Sequence, residues 1–188
     1  ADSIVTAARV MVTWSKAMPA AGGRDLAEIA AEMGCDIYTA ADRLQPAGAI
    51  YFSMDEEDVQ RILSDPKAMI GSDGLPFDAH PHPRLWGTFP RVLGHYARDL
   101  GLFSLEEAVR RMTSLSALQF DLVDRGTLAA GAFADITVFD PATVRDTASF
   151  EDPIRPAAGI AHVFVNGRQV WSDGAVTGNR PGRIGSSK

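Results

Sequence analysis

The sequence predicts an α/β protein in which strands and helices of a barrel are followed by a small β domain. Small or apolar residues at 69–71 lead into Asp73, which is followed by a loop rich in proline and histidine and then by Arg84. Residues 49–71 follow the order strand, helix, strand, which predicts a parallel βαβ unit. The helical period ends near residue 122, where short β-rich runs begin. Because α/β barrels have their active sites where strands end and loops begin, we expect Asp73 to lie in an active site.

The length of the chain limits how much of such a barrel it holds. The composition of the 188 residues, 46% hydrophobic and 22% charged, is that of an ordinary globular protein. A closed eight-stranded barrel takes roughly 250 residues, so this chain cannot contain a whole one, and the family resemblance described below implies its C-terminal part. We assign residues 1–122 to the barrel, 123–180 to the β domain and 181–188 to a poorly ordered tail.

Charge and cysteine content exclude several classes of protein. The net charge of −6 comes from interspersed acids and bases, and the absence of a basic stripe argues against nucleic-acid binding. No apolar run approaches the ~18 residues of a membrane span. The single Cys35 excludes a disulfide framework and predicts a reducing, cytoplasmic location. The sequence starts without Met or a signal-peptide pattern, so we expect it to begin inside a longer protein.

The N-terminal region alternates between predicted strands and helices. Residues 4–5 and 9–14 are rich in β-branched side chains and predict strands. Residues 23–46 predict a small inserted segment of two helices, the first opened by a capping box of Asp25 and Glu28. This segment therefore interrupts the strands of the barrel.

The predicted βαβ unit occupies the middle of the chain. Residues 49–54 predict a buried strand, Asp55 can cap the helix that follows, and residues 67–71 predict the next strand. Residues 89–100 predict a further helix.

The last predicted elements lead from helix to sheet. A capping box at Ser104 and Glu107 predicts a helix to about residue 118. Residues 136–139 and 163–165 predict strands, the second followed by an Asn166–Gly167 hairpin turn.

Asp73 and Arg84 are the main candidates for chemistry. An acid after an apolar strand can bind a metal or take a proton from metal-bound water, although Ser-Asp-Gly is also common in turns. Arg84 can hold a carboxylate with its planar fork, or pair with a neighbouring acid such as Asp78.

His80 and His82 form a His-x-His pattern, which on a strand places two imidazoles on one face, as zinc sites require. Pro81 and Pro83 interrupt it, and proline is confined to sheet edges and loops. Contact with the substrate or with Asp73, and simple packing in the loop, are therefore alternatives to metal binding.

Two C-terminal segments resemble the amidohydrolase superfamily, in which a metal-dependent TIM-like (β/α)8 barrel is followed by a small β-sandwich. They are residues 126–140 and 163–167. Further segments resemble one family within it, the N-acyl-D-amino-acid deacylases or D-aminoacylases. These are residues 23–30, 45–52, 70–76, 80–87 and 150–160.

The resemblance implies zinc-dependent hydrolysis of N-acyl-D-amino acids to a carboxylate and a free D-amino acid. Asp73 matches the aspartate that serves as the family's catalytic acid and base beside the metal, and we also assign it as a metal ligand. Arg84 matches the arginine that holds the substrate's α-carboxylate, and Met54 a residue that shapes the side-chain pocket. We assign Ser72 and His82 to substrate binding as well.

The remaining metal ligands of that family lie upstream of the residues that match this chain. His95 and His162 match no ligand position. We therefore expect the missing N-terminal part of the enzyme as a partner, and an inactive chain in its absence. Neither nucleic acid nor a membrane is an expected partner.

Two alternatives stay open. One is an amidohydrolase acting on cyclic amides, of the dihydropyrimidinase type, although Arg84 provides a carboxylate anchor that a cyclic imide does not need. The other is a non-catalytic scaffold fragment. Within the deacylases, Met54 and the scarcity of basic residues in the recognisable pocket segments favour neutral, apolar side chains over D-Asp or D-Glu.

Overall fold

The computed structural model describes residues 7–184, and these divide into two compact units. The first unit contains the chain up to Val59, together with Asp73–Trp86 and Ala148–Arg155. The second contains Gln60–Ser72, Gly87–Thr147 and the chain from Pro156 on. The predicted strand at residues 4–5 and the last four residues of the predicted tail lie outside the described residues.

The first unit is built on a two-stranded antiparallel sheet. Strand β1 (Arg9–Ser15) pairs with β2 (Ala47–Phe52), and the register shifts between Val12 and Trp14. Helices α1 (Leu26–Glu32) and α2 (Ile37–Leu44) lie between the strands in sequence, as predicted for the inserted segment. The buried cluster of this unit consists of Val12, Ala21, Leu26, Ile29, Ala30, Ala40 and Leu44.

The two inserted helices begin in different ways. The carboxylate of Asp36 accepts hydrogen bonds from the backbone N–H groups of Tyr38 and Thr39, a standard N-cap. Asp25 makes no such bond, so the predicted capping box at this helix is wrong. Its carboxylate instead accepts from Arg9 Nε at 2.8 Å, because a charge-assisted bond to a guanidinium competes with the cap.

The predicted strand at residues 67–71 does not form, and this corrects the parallel βαβ unit. Strand β2 and helix α3 (Glu56–Leu63) are present, but β2 pairs only with β1, and antiparallel. A strand persists only when its backbone groups bond to a neighbouring strand, and the described residues offer none to 67–71. The barrel itself stays a prediction.

The helical part of the chain is confirmed with two differences. Helix α4 (Arg84–Arg91) begins earlier than predicted and continues as a π-helical segment, Val92–Asp99. The helix predicted to reach residue 118 is divided at Thr113 into α5 (Leu105–Met112) and α6 (Ser114–Gln119). Its predicted N-cap is present, since the Ser104 hydroxyl accepts from the backbone of Glu107.

The end of the second unit is a four-stranded antiparallel sheet. Its strands pair in the order β3 (Ile136–Phe139), β4 (Ile160–Val165), β5 (Arg168–Ser172) and β6 (Ala175–Val176). Asn166 and Gly167 both have positive φ, 47° and 75°, as a type I′ hairpin turn requires. The predicted strands and the hairpin turn are thus confirmed, while the separate β domain at 123–180 and its sandwich stay predictions.

Among residues 7–184 there is no helix with the length and apolar character needed to cross a membrane.

Candidate active site

Asp73 lies on an exposed turn of the first unit. Its φ of 46° is in the left-handed region, which aspartate tolerates better than most residues because its side chain can bond to the local backbone. The side chain is 79% exposed. The turn therefore presents a carboxylate to solvent or to a ligand.

Arg84 meets that carboxylate from the first turn of α4. Its Nη2 lies 2.7 Å from Asp73 Oδ2, and its side chain is 39% exposed. The two residues singled out by the sequence thus form an ion pair, with both charged groups reachable from solvent.

Gly74 brings the Asp73 turn against the start of α4. A Cβ at this position would lie 2.8 Å from Leu85 Cδ1 and 3.0 Å from Leu85 Cα. The second of these atoms is backbone and cannot rotate away. Glycine at 74 therefore permits the close approach that places Asp73 beside Arg84.

His80 fixes the loop that connects the pair. Its backbone N–H donates to the carbonyl of Thr13 on β1, and its Nε2–H donates to the carbonyl of Phe150 at 2.6 Å. The ring also lies against Gly23, where a Cβ would come within 2.9 Å of Nδ1. His80 thus packs within the loop and bonds to the protein's own backbone.

His82 is engaged with both the backbone of α4 and an aromatic cluster. Its Nδ1 accepts from the backbone N–H of Arg84 at 3.0 Å. Its ring meets that of Phe150 edge-on at 5.1 Å, and Phe150 in turn lies 4.7 Å from the ring of Phe52 on β2. Burial, followed by the positive charge of Arg84, lowers the pKa of His82 to about 4, against an opposing effect of Asp73.

Met54 and Ser72 have less defined surroundings. Met54 follows the end of β2 and is 74% exposed, so the described residues do not enclose it in a pocket. Ser72 is half-buried and directly precedes Asp73. The predicted roles of these two residues stay predictions.

The metal prediction can be tested against the residues present. No group of three His, Cys, Asp or Glu side chains suited to hold a metal ion occurs among residues 7–184. A zinc site needs three or four protein ligands, and Asp73 offers one carboxylate that is already paired with Arg84. This part of the protein therefore does not form a metal site by itself.

Phe150 and Gly23 are the residues of this region that sequence reasoning did not single out. Phe150 contacts both loop histidines, although 70 positions of the sequence separate it from His80. No local pattern marks such a residue, because its partners are brought to it only by the fold.

Comparison with known proteins gives a consistent family assignment. The model of the amidohydrolase family matches residues 11–171. A D-aminoacylase from Alcaligenes xylosoxydans xylosoxydans is 62% identical over 183 residues, which are 97% of this chain and 38% of that protein.

Two solved structures are also similar. A D-aminoacylase studied for its binuclear metal center, with one-metal activation and second-metal attenuation, superposes with a TM-score of 0.94 at 59% identity, covering 98% of this chain and 39% of that one. An N-acyl-D-glutamate deacylase from Bordetella bronchiseptica, complexed with zinc and a phosphonate inhibitor, superposes with a TM-score of 0.88 at 54% identity. The match covers 90% of this chain and 36% of that one. The chain thus spans under two fifths of the length of these relatives.

Proposed function

This chain belongs to the amidohydrolase family, and we propose that it contributes the C-terminal part of an enzyme that hydrolyses N-acyl-D-amino acids. The products are a carboxylate and a free D-amino acid. The observation that carries the proposal is the exposed ion pair of Asp73 and Arg84, in which a carboxylate able to exchange protons lies beside a guanidinium able to bind a carboxylate. The identity of 62% to a D-aminoacylase supports the choice of substrate class.

Arg84 is the proposed anchor for the substrate's α-carboxylate. A guanidinium presents two parallel N–H donors that match the two oxygens of a carboxylate. The exposed Arg84 side chain can exchange its bond with Asp73 for a bidentate bond with substrate. Anchoring this end fixes the distance from the α-carboxylate to the scissile amide, and such positioning lowers the barrier to reaction.

Asp73 is the proposed general base and general acid. In the first step its carboxylate takes a proton from the water that attacks the amide carbonyl. In the second step it returns that proton to the amine nitrogen as the C–N bond breaks. One carboxylate can serve both steps because it is deprotonated before the attack and protonated after it.

Zinc is the proposed cofactor of the whole enzyme. One similar structure contains zinc and another is described by its metal center. A metal in such a site makes water a stronger nucleophile at neutral pH. Asp73 would add a single ligand to it, and the other ligands would come from outside residues 7–184.

The proposed side chain of the substrate is neutral and apolar. Met54, exposed here at 74%, would form part of the side-chain pocket, and Ser72 would contact the substrate beside Asp73. The side chains of D-Asp and D-Glu are negatively charged and would be complemented by a cation, which methionine does not supply. We also propose that the remaining N-terminal part of the enzyme is the partner of this chain, and that the enzyme is cytoplasmic.

Hydrolysis of the D and L forms of N-acetyl-methionine by the full-length protein tests the function. We expect turnover of the D form and none of the L form, with slower turnover of N-acetyl-D-aspartate and N-acetyl-D-glutamate. The intact mass of every polypeptide in the preparation shows whether the upstream part is present. If the protein hydrolyses dihydrouracil but not N-acetyl-D-methionine, a cyclic-amide hydrolase is favoured. If it hydrolyses neither substrate, a non-catalytic scaffold is favoured.

A further inference from the structure

Helix α4 begins at Arg84, the proposed carboxylate anchor, and a histidine side chain bonds to the backbone of this first residue. The backbone N–H of Leu85 donates to the carbonyl of His82, and that of Arg84 donates to the His82 side chain at 3.0 Å. From two residues before α4, the His82 side chain thus accepts the kind of bond that Ser, Thr, Asp or Asn accepts at an N-cap. Pro83 immediately precedes the first helical residue, Arg84, and proline favours the start of a helix because its φ is already helical.

The capping side chain is itself held in place by the rest of the first unit. Its ring rests edge-on against Phe150, which packs on Phe52 of strand β2. Two residues earlier, His80 bonds to Thr13 on β1 and to the carbonyl of Phe150. The position of the imidazole is therefore set by both strands of the sheet and by the segment around residue 150.

The bond to the Arg84 N–H links this framework to the charged side chain. A hydrogen bond at the backbone of residue 84 restricts where its Cα lies and in which direction the helix starts. The guanidinium leaves that Cα to reach Asp73 at 2.7 Å. A change at His82 is thus passed to Arg84 through one backbone bond.

We propose that His82 is a positioning residue, which holds Arg84 in place to receive the substrate carboxylate by capping the first turn of α4. This inference rests on the proposed function and deepens it. It replaces the direct contact with substrate that we assigned to His82 from the sequence by an action through Arg84. The Nδ1 atom carries this role, and the Nε2 atom is not required for it.

Three substitutions in the full-length, metal-loaded enzyme separate the contributions of the ring. His82→Asn keeps an acceptor where Nδ1 lies and removes Nε2 and the aromatic ring. His82→Phe keeps the ring that faces Phe150 and removes the acceptor. His82→Ala removes both, and His162→Ala, on β4, is a matched control whose ring contacts Gln169 and Phe164.

Steady-state kinetics with N-acetyl-D-methionine give the first readout. We expect Ala and Phe to raise KM about fivefold to tenfold with kcat changed less than about twofold, which corresponds to loss of one capping bond. We expect Asn to stay within about twofold of wild type in both constants. If Asn raises KM as much as Ala does, or if Ala and Phe leave KM unchanged, the positioning role is wrong.

Hydrogen exchange of the Arg84 and Leu85 amides, followed by mass spectrometry, gives a second readout that does not depend on turnover. We expect these amides to exchange faster in Ala and Phe and at the wild-type rate in Asn. Unchanged exchange in all variants would overturn the capping role even if kinetics change. A wild-type enzyme that does not hydrolyse N-acyl-D-amino acids would overturn the proposed function, and exchange alone would then show whether His82 holds the helix.

Discussion

The guanidinium of Arg84 lies 2.7 Å from the carboxylate of Asp73, although a loop from 74 to 83 separates them in the chain. Their side chains are 39% and 79% exposed, and ion pairs this open to solvent contribute about 0–1 kcal/mol to stability. Stability therefore does not account for an arrangement that needs a glycine at 74 and an anchored loop. The proposed role in binding the substrate carboxylate would account for it.

Replacing Asp73 by Asn should abolish most turnover in the full-length enzyme. The amide keeps the shape of the side chain but cannot take up a proton from water. We expect kcat for N-acetyl-D-methionine to fall by about 10²–10⁴-fold, the usual contribution of a general acid–base group.

Asp78→Asn, in the same loop, is the matched control and should retain wild-type kcat. Turnover by Asp73→Asn within a few fold of wild type would remove Asp73 from the proposed acid–base role.

Replacing Arg84 should affect substrate binding more than chemistry. Arg84→Ala removes the carboxylate anchor, and we expect KM to rise by about 10²-fold, since a charge-assisted bidentate bond is lost. Arg84→Lys should recover only part of this, because an ammonium cannot reproduce the planar fork.

Arg155, exposed and 3.5 Å from Asp152, provides a control arginine in the same unit. If Arg84→Ala lowered kcat and left KM unchanged, the side chain would act in the chemical step and not as an anchor.

Gly74→Ala should disturb the active site through packing alone. The added Cβ would press on the backbone of Leu85 at 3.0 Å, and overpacking of this kind costs about 1–3 kcal/mol. We expect both a lower urea midpoint and a loss of activity, because the turn that carries Asp73 must move away from α4.

Gly71→Ala is the matched control, since nothing lies within 4 Å of a Cβ at that position. Equal activity of the two variants would show that the close approach of Gly74 is not needed.

Stability should fall in acid through Glu107 on α5. Hydrogen bonds from Arg110, then from Arg111, lower the pKa of Glu107 to about 2, below its ordinary value of 4.5. The unfolded chain therefore binds the proton first, so the stabilisation is complete above pH 4.5 and is lost as the pH falls toward 2.

Urea unfolding of wild type and Glu107→Gln between pH 7 and pH 3 measures this contribution. We expect the variant to be less stable at pH 7 and the difference to shrink in acid. A difference independent of pH would mean that packing of the side chain, and not its charge, is responsible.

The elements set by neighbouring residues were predictable from the sequence. The second predicted helix of the inserted segment begins at Asp36, whose carboxylate bonds to residues two and three positions away, and the Asn166–Gly167 turn depends on the φ preferences of two residues. The Ser104 cap is of the same kind. Asp73 became a candidate in the same way, because an apolar run followed by an acid is a local pattern, and its role stays a prediction.

Contacts between distant segments were decided only by the tertiary structure. The carboxylate of Asp25 accepts a hydrogen bond from Arg9 and does not form the predicted helix cap. Phe150 bonds to His80 through its carbonyl and contacts His82 through its ring. Residues 67–71 show the same limit, since their apolar pattern suits a strand but the strand depends on a partner. Local propensity arises within a few residues, whereas pairing and side-chain contacts depend on which distant groups the fold brings within bonding distance.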